Sequence, residues 1–506
     1  MKKYDVIVVG AGNGGLCAAT TCAKAGYSVL LLEKHNLPGG CATSFVRGRF
    51  EFEPSLHELC DESTNERMRS MKQIYADLGV KETFLREEML YRVIAKGTNG
   101  YDHRIKATKE GFLDSMEEAA PGCRQQIETL FELNYLFDAA QIYMDDCGGV
   151  SGMNPVTLLT KYGDFIRAAG NSIDKLLDAL GMSEKAKSLT NTYWGYLGDP
   201  PRDLNAMHFI SLLAAYVEGR PSMPYDRSHG MSLAILKVFQ ECGGEIWYNS
   251  PVTEFLYDDS GAAIGVVANG EAIYSKKIIS NIIPNNVMNL SNSKFVKKAM
   301  RKLANARTLG MSIQTVYLGL DCSMEELGVD DYSVFVMGDP DANVQYDRRK
   351  DMGLYIVNCL NKTIPDASPD GTCMLFFTIP SFDGDFPADL KPQDYKKYKN
   401  ALAEKFIRDY EELLGIDIRS HIEEISVATP VTFARYLSTP NGSIYGYMSQ
   451  GWDNVVNRVV FKDLENKVKN MKFCGGHSLR GDGYPSAFIT GEQMANETIA
   501  ELKEGK

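Results

Sequence analysis

The chain has 506 residues, enough for three or four domains or fewer large ones, so burying a core is no constraint. Hydrophobic residues make up 44% and charged residues 24%, which excludes a disordered, collagen-like or small disulfide-stapled chain. With 54 basic against 66 acidic residues the net charge is −12, so no nucleic-acid partner is expected and broad adhesion to anionic lipid is disfavoured. The eleven cysteines are scattered without a CxxC pair and read as reduced thiols in a cytoplasmic protein. Cys17 and Cys22 lie five positions apart on a predicted helix, about 140° around it, and cannot face each other. Neither a signal nor a transit peptide is expected at the N-terminus. The longest apolar run, Phe209 to Val217, is about half of the ~18 residues that a spanning helix needs.

In chain order, YDVIVV (4 to 9) predicts a buried strand, GAGNGGLCAATTCAKAG (10 to 26) a helix opened by glycines, and SVLLLE (28 to 33) a second buried strand. Residues 61 to 225 carry mostly helical periodicity. Within them the apolar helix 205 to 217 reads either as core or as a membrane-dipping lid over a lipid tunnel. A helix from Met231 leads into EIWYNSPVTEFLYDD, AAIGVVANG and EAIYSKKIIS, with hairpin turns at Asp259 to Gly261 and Asn269-Gly270, an antiparallel meander. Residues 311 to 440 alternate strand patterns with a charged helix near 395 to 415, an α+β module. The C-terminal residues return to the style of the first, with strand 470 to 476, a glycine-rich turn and a helix from about Pro485.

Gly10, Gly12 and Gly15 complete GxGxxG between a strand and a helix, the context in which the pattern carries meaning. Gly10 permits the tight turn, Gly12 lets backbone approach a pyrophosphate, and Gly15 lets helix and strand pack closely. The helix start offers free N–H groups to the anion. Glu33 ends the second strand where an acid would bind adenosine ribose hydroxyls. Gly14 in the same turn and Lys34 beside the acid are counted with the cofactor site.

The stretch GAGNGGLCAATTCAKAGYSVLLLEKHNLPGGCATS resembles the dinucleotide-binding segment of flavoproteins of the amine oxidase and phytoene desaturase superfamily, in which a Gly-Gly pair follows the acid. Here the pair is Gly39-Gly40. The resemblance implies FAD, with Gly39 and Gly40 against the ribityl-pyrophosphate and Thr43 or Ser44 near the isoalloxazine; otherwise Pro38-Gly39-Gly40 is only a turn. Three further stretches narrow the resemblance to the phytoene desaturase, carotenoid isomerase and retinol saturase branch: FEFEPSLHEL (50 to 59), TPVTFARYLSTPNGSIYGY (429 to 447) and KFCGGHSLRGDGYPSAFITG (472 to 491). This chain departs from that branch at Glu53 and Ser55, at Ser228-His229, and at Arg480-Gly481-Asp482.

In the last stretch, Gly475 and Gly476 allow close backbone approach, and Pro485 suits a first helical turn whose Ser486 and Ala487 N–H groups would face the reducible edge of a flavin. Asp482 would hold a ribityl hydroxyl, and Val252 would meet the adenine or simply belong to an ordinary strand. His57 reads as a neutral donor or proton carrier near the flavin, or as a packed histidine. Arg435 and Tyr436 would line the substrate cavity, with Arg435 as an anion anchor or a solvent-facing arginine. No metal-ligand spacing is present, and none is expected to bind.

The expected fold is α/β: a discontinuous Rossmann-like FAD-binding domain (1–60, 226–282 and 466–506) with a helical lid or substrate layer (61–225) and an α+β substrate-binding domain (283–465) inserted. The expected activity is an FAD-dependent oxidoreductase acting on C=C or CH–CH bonds of a small apolar, alkene-containing substrate, by hydride exchange at flavin N5. The electron donor or acceptor is unknown. A redox-neutral double-bond isomerase or hydratase, and a non-catalytic lipid- or prenyl-binding escort protein, are the alternatives; an amine oxidase is weaker, since no aromatic pair to cage an amine can be identified. Peripheral membrane contact and a homodimer both stay open.

Overall fold

A computed structural model describes all residues except 1–2, 61–68, 292–293, 295, 450, 455–456, 459–467, 479–482 and 506. The strand Lys3–Val9 and the strand Val29–Leu32 pair in parallel, with the helix Asn13–Lys24 crossing between them. Val6 to Val9 and Val29 to Leu32 are buried on both faces, as a parallel strand covered by helices requires. The sheet grows from this unit in both directions. On one side Glu245–Trp247 joins Val29–Leu32 in parallel; on the other, Glu271–Ser280 lies parallel to Lys3–Val9 and carries the antiparallel strands Ala263–Ala268 and Val252–Tyr257. The stretch EIWYNSPVTEF is therefore two strands rather than one, split at the Asn249 to Pro251 corner, where Asn249 takes a positive φ of 50°.

The seventh strand, Met471–Phe473, pairs in parallel with Glu271–Ser280, and the helix Gly483–Lys503 packs along Asn13–Lys24. Close approach of these two helices depends on Gly491, where a Cβ would stand 2.3 Å from the Gly14 carbonyl oxygen. Both ends of the chain thus share one sheet and one helical layer.

A second seven-stranded sheet runs in the order Ile422–Ala428, Ser312–Leu320, Cys373–Ser381, Leu354–Cys359, Ser333–Met337, Met89–Ala95, Tyr101–Lys106. Its last two strands come from the segment expected to be a helical layer. In Met89–Ala95 the side chains of Tyr91, Val93 and Ala95 join one core and Ile94 the core on the other face, while Arg92 reaches out to Asp102 and Asp331. The apolar run MLYRVIA followed after only five residues by the alternating YDHRIK is a hairpin signal that outweighs the helical periodicity around it. The rest of 109–219 is helical, and Ala206–Gly219 is largely buried among the other helices as a wall rather than an outer lid.

A small sheet, Leu59–Cys60 with Pro221–Pro224 and Phe84–Arg86, ties the segment after Phe50–Phe52 to the helical layer. Among the described residues no helix is long and apolar enough to cross a membrane. All eleven cysteines are free thiols, and Cys17 and Cys22 are both buried.

Candidate functional site

One cavity of about 1220 Å³ lies between the two sheets, roomier than the ~300–1,000 Å³ of ordinary ligand pockets. It begins at the glycine turn and ends in an apolar chamber under the second sheet.

At the first end the wall is backbone. Gly10 leaves the strand with φ +94°, a conformation that L side chains rarely adopt. A Cβ on Gly15 would stand 1.9 Å from the Gly10 carbonyl oxygen, and one on Gly14 would stand 2.9 Å from the Gly475 nitrogen. Gly12 caps the helix in an extended conformation and faces the cavity, so the first-turn N–H groups open onto it. Glu33, 8% exposed, lines the same end. One of its oxygens accepts from the Ala11 N–H at 2.7 Å and the other from the His35 N–H at 2.8 Å. Those bonds fix the carboxylate at the strand end while each oxygen keeps a lone pair free for a hydroxyl. Lys34 and Val252 line this end too; burial lowers the Lys34 pKa, and its Nζ donates to the Arg435 carbonyl oxygen at 2.9 Å and to Ser438 Oγ.

The Gly39-Gly40 loop closes over the turn. Gly39 N–H donates to the Ala11 carbonyl at 2.7 Å, and both glycines have positive φ. The loop is held from outside through its carbonyls: Ser55 Oγ and Tyr484 OH donate to Cys41 O, and Ser232 Oγ to Ala42 O. Three positions at which the chain departs from the branch pattern meet in this buried scaffold. The Glu53 carboxyl accepts from Ser228 N–H at 3.1 Å and from Ser228 Oγ at 2.7 Å, with the Ser55 and Leu56 N–H groups also directed at it. Burial pushes its pKa up to about 7 against these bonds. A longer acid at 53 and a serine at 228 thus suit each other. Thr43 and Ser44 lie outside the cavity lining; Ser44 Oγ donates to Glu51, which also pairs with Arg227.

The C-terminal segment supplies the middle of the cavity. Gly475, with φ +100°, donates to Thr490 Oγ1 at 3.1 Å, and Gly475, Gly476, Ser486 and Ala487 all line the wall. Asp482 lies outside the described residues. His477 is buried here, its pKa brought to about 3 by burial and then by the charges of Arg307 and Arg458. Its Nε2, the Asn13 Oδ1 and the Thr439 Oγ1 are buried polar atoms without a hydrogen-bond partner, on residues that line the cavity. Orphaned polar atoms along a bare-backbone wall fit a polar dinucleotide better than an apolar guest.

At the far end, Met207, Leu212, Ile356 and Phe137 give the chamber an apolar lining, and His57, Glu58, Tyr196, Tyr216 and Thr378 give it polar points. His57 Nε2 is 2.9 Å from Thr378 Oγ1, and its ring packs against Tyr196 and Phe376 at 5.4 and 5.6 Å between centroids. Burial lowers its pKa to about 3, so it is a neutral imidazole at ordinary pH. Glu58 beside it is a site residue that sequence reasoning does not single out, although it lies in the stretch FEFEPSLHEL next to His57.

Arg435 and Tyr436 are not in this chamber. They sit on the helix Pro430–Leu437, Arg435 exposed and off the cavity wall, Tyr436 half exposed at the dinucleotide end with its ring edge-on to His35 at 5.3 Å. The helix turns this pair towards Lys34 and His35 because Phe433 takes the buried face. Away from the cavity, Asp321, Cys322 and His421 bring one ligating atom each within 4.8 Å of one another, with Asp321 and His421 exposed.

Residues 8–74 match the family model of an NAD(P)-binding Rossmann-like domain. The chain is 22% identical to the all-trans-retinol 13,14-reductase of Danio rerio over 88% of this chain and 78% of that protein. It is 24% identical to the chloroplastic prolycopene isomerase of Daucus carota over 99% and 81%. Its fold superposes on an oxidoreductase from Methanosarcina mazei with a TM-score of 0.67 at 16% identity, over 97% of this chain and all of that one. Along most of its length the chain is thus similar in sequence to retinol reductases and prolycopene isomerases, it carries an NAD(P)-binding Rossmann-like segment at residues 8–74, and its fold is that of the Methanosarcina mazei oxidoreductase.

Proposed function

We propose that the protein is an FAD-dependent oxidoreductase acting on C=C or CH–CH bonds of a small apolar, alkene-containing substrate of polyene, isoprenoid or fatty-acid type. The observation that carries this reading is the continuity of the cavity: a glycine-and-helix-terminus wall suited to a pyrophosphate runs without partition into a chamber lined by Met207, Leu212, Ile356 and Phe137. Gly10, Gly12, Gly14, Gly39 and Gly40 would receive the phosphates, Glu33 the adenosine ribose, and Gly475, Gly476, Ser486 and Ala487 the ring end. Bound there, flavin supplies a carbon-directed hydride exchange that no side chain can perform. The chain's own residues do the rest. The apolar chamber excludes water and fixes the reacting bond. The neutral His57 orients a polar substrate end or a flavin carbonyl. External electrons come from an unidentified donor or acceptor.

The test is anaerobic absorbance spectroscopy of the purified protein. It should be yellow with one FAD per chain, and a panel of polyenes, unsaturated fatty acids and sterols should include a compound that reoxidises the reduced form or bleaches the oxidised one. Turnover with no absorbance change and no electron partner would favour a redox-neutral isomerase instead; the Daucus carota relative is a prolycopene isomerase by name. Colourless protein that cannot be reconstituted would overturn the reading.

A further inference from the structure

Among the described residues, two neighbouring carboxyls, Glu58 and Glu87, are buried without a counter-charge, and Glu58 lines the cavity. Glu58 is 3% exposed and Glu87 5% exposed. The small sheet brings them together: Leu59 pairs with Ser222 on one side of the strand Pro221–Pro224, Arg86 pairs with Ser222 on the other, and Glu87 N–H donates to the Pro221 carbonyl. Glu58 Oε1 accepts from Tyr193 OH at 3.2 Å and from Tyr196 OH at 3.1 Å; its Oε2, and both oxygens of Glu87, have no hydrogen-bond partner. The ionisable neighbours are phenols and a thiol: Tyr193 and Tyr196 from the segment 191–197, Tyr216 from the helix Ala206–Gly219, Tyr91 and Tyr332 from the second sheet side, and Cys60. His57, next in sequence, is neutral. Among the described residues no cation offsets either carboxyl.

An ion in such a place costs several kcal/mol in desolvation, and two would also repel. Burial holds both carboxyls above the ordinary glutamate range, and the repulsion between them adds to the rise at Glu87. The economical state is therefore a pair that keeps at least one proton at neutral pH, with its cavity-facing member free at Oε2. That is the arrangement of a general acid, and the partner carboxyl tunes it.

We propose that Glu58 is the acid–base residue of the chamber, exchanging one proton with a carbon of the bound substrate, and that Glu87 is the positioning residue that keeps this proton in place. The inference rests on the proposed alkene chemistry. In the saturating direction the Glu58 O–H bond breaks and a C–H bond forms at one alkene carbon with the π electron pair, the neighbouring carbon taking a hydride from dihydroflavin as the two-electron reductant; Glu58 is left as carboxylate. Desaturation runs the same transfers backwards.

Difference infrared spectroscopy of the full-length protein, titrated from about pH 5 to about pH 9, reads the protonated carboxyl directly and needs no substrate. Wild type should show a protonated C=O band at neutral pH that is lost in Glu58→Gln. In Glu87→Gln the Glu58 band should persist, and the two-step titration of the coupled pair should become a single step. With the alkene substrate, Glu58→Gln should keep its flavin spectrum and lose about 10²–10⁴-fold in kcat, and Glu87→Gln should reduce the pair's limb of the pH profile to a single titrating step. Absence of the Glu58 band in wild type, or wild-type turnover in a flavin-replete Glu58→Gln variant, overturns the proposal. Colourless protein that still shows the band would defeat the flavin reading and leave the proton pair standing.

Discussion

The two ends of the cavity are built in opposite ways. At the dinucleotide end the wall is main chain from a contiguous stretch, Gly10 to Gly40, closed by Gly475 and the start of the last helix; what matters there is which side chains are missing. At the chamber end the wall is side chain, with His57 and Glu58, Tyr196, Tyr216, Ile356 and Thr378 drawn from five distant segments. A backbone site is specified locally, because a turn of given φ and ψ needs particular residues at fixed spacing. A side-chain site is specified by how sheets and helices come together, which no local spacing records.

If that contrast is right, the largest single effect should come from adding carbon at the first end. Gly12→Val places its Cβ 2.9 Å from Asn281 Nδ2 and its branches in the space the phosphates would occupy. The variant should fold, since the clash is with the tip of a side chain, and purify without flavin absorbance. A normal flavin spectrum would refute the placement of the pyrophosphate.

The same contrast explains what was legible in the sequence. The strand-turn-helix-strand unit, its glycines and Glu33, and the return of the C-terminal segment to the same sheet follow from motif spacing and from runs such as VIVV and VLLL, which only a doubly covered parallel sheet can bury. The strands Met89–Ala95 and Tyr101–Lys106 form a local hairpin that the helical neighbourhood masked, while the pairing of Met89–Ala95 with Ser333–Met337, more than 200 residues on, leaves no local trace. Arg435 and Tyr436 carry the chemistry of a substrate site and occupy a resemblance motif, yet the eight-residue helix beneath them faces Lys34 instead. Glu58 lies inside the stretch FEFEPSLHEL, but nothing in that stretch marks it as a site residue; its meaning comes from Glu87 and the tyrosines that surround it, gathered by the small sheet.

A second, smaller effect belongs to Glu33. Removing it frees the Ala11 and His35 N–H groups and one charge-assisted contact to the ribose. Such bonds are worth about 1.5–3 kcal/mol, so Glu33→Ala should raise the FAD dissociation constant by roughly 10- to 150-fold in equilibrium dialysis. Substitution in the chamber should act on rate and leave binding alone. His57→Gln loses an imidazole whose pKa is about 3, so kcat should fall about tenfold, a single neutral hydrogen bond's worth, with the pH profile unchanged in shape. A changed profile would mean that His57 titrates during turnover.

The smallest effect is expected at Arg435, and it sharpens the comparison most. Its guanidinium is exposed and lies 5.9 Å from the centre of the Tyr436 ring, while its link to the cofactor end runs through its carbonyl, which accepts from Lys34. Alanine keeps that carbonyl. Arg435→Ala should therefore stay within about 0.5 kcal/mol, or roughly twofold, in both flavin affinity and kcat/KM. A loss of a hundredfold in kcat/KM with normal flavin content would show that the helix Pro430–Leu437 reaches the substrate after all, and the boundary drawn between the two ends of the cavity would have to move.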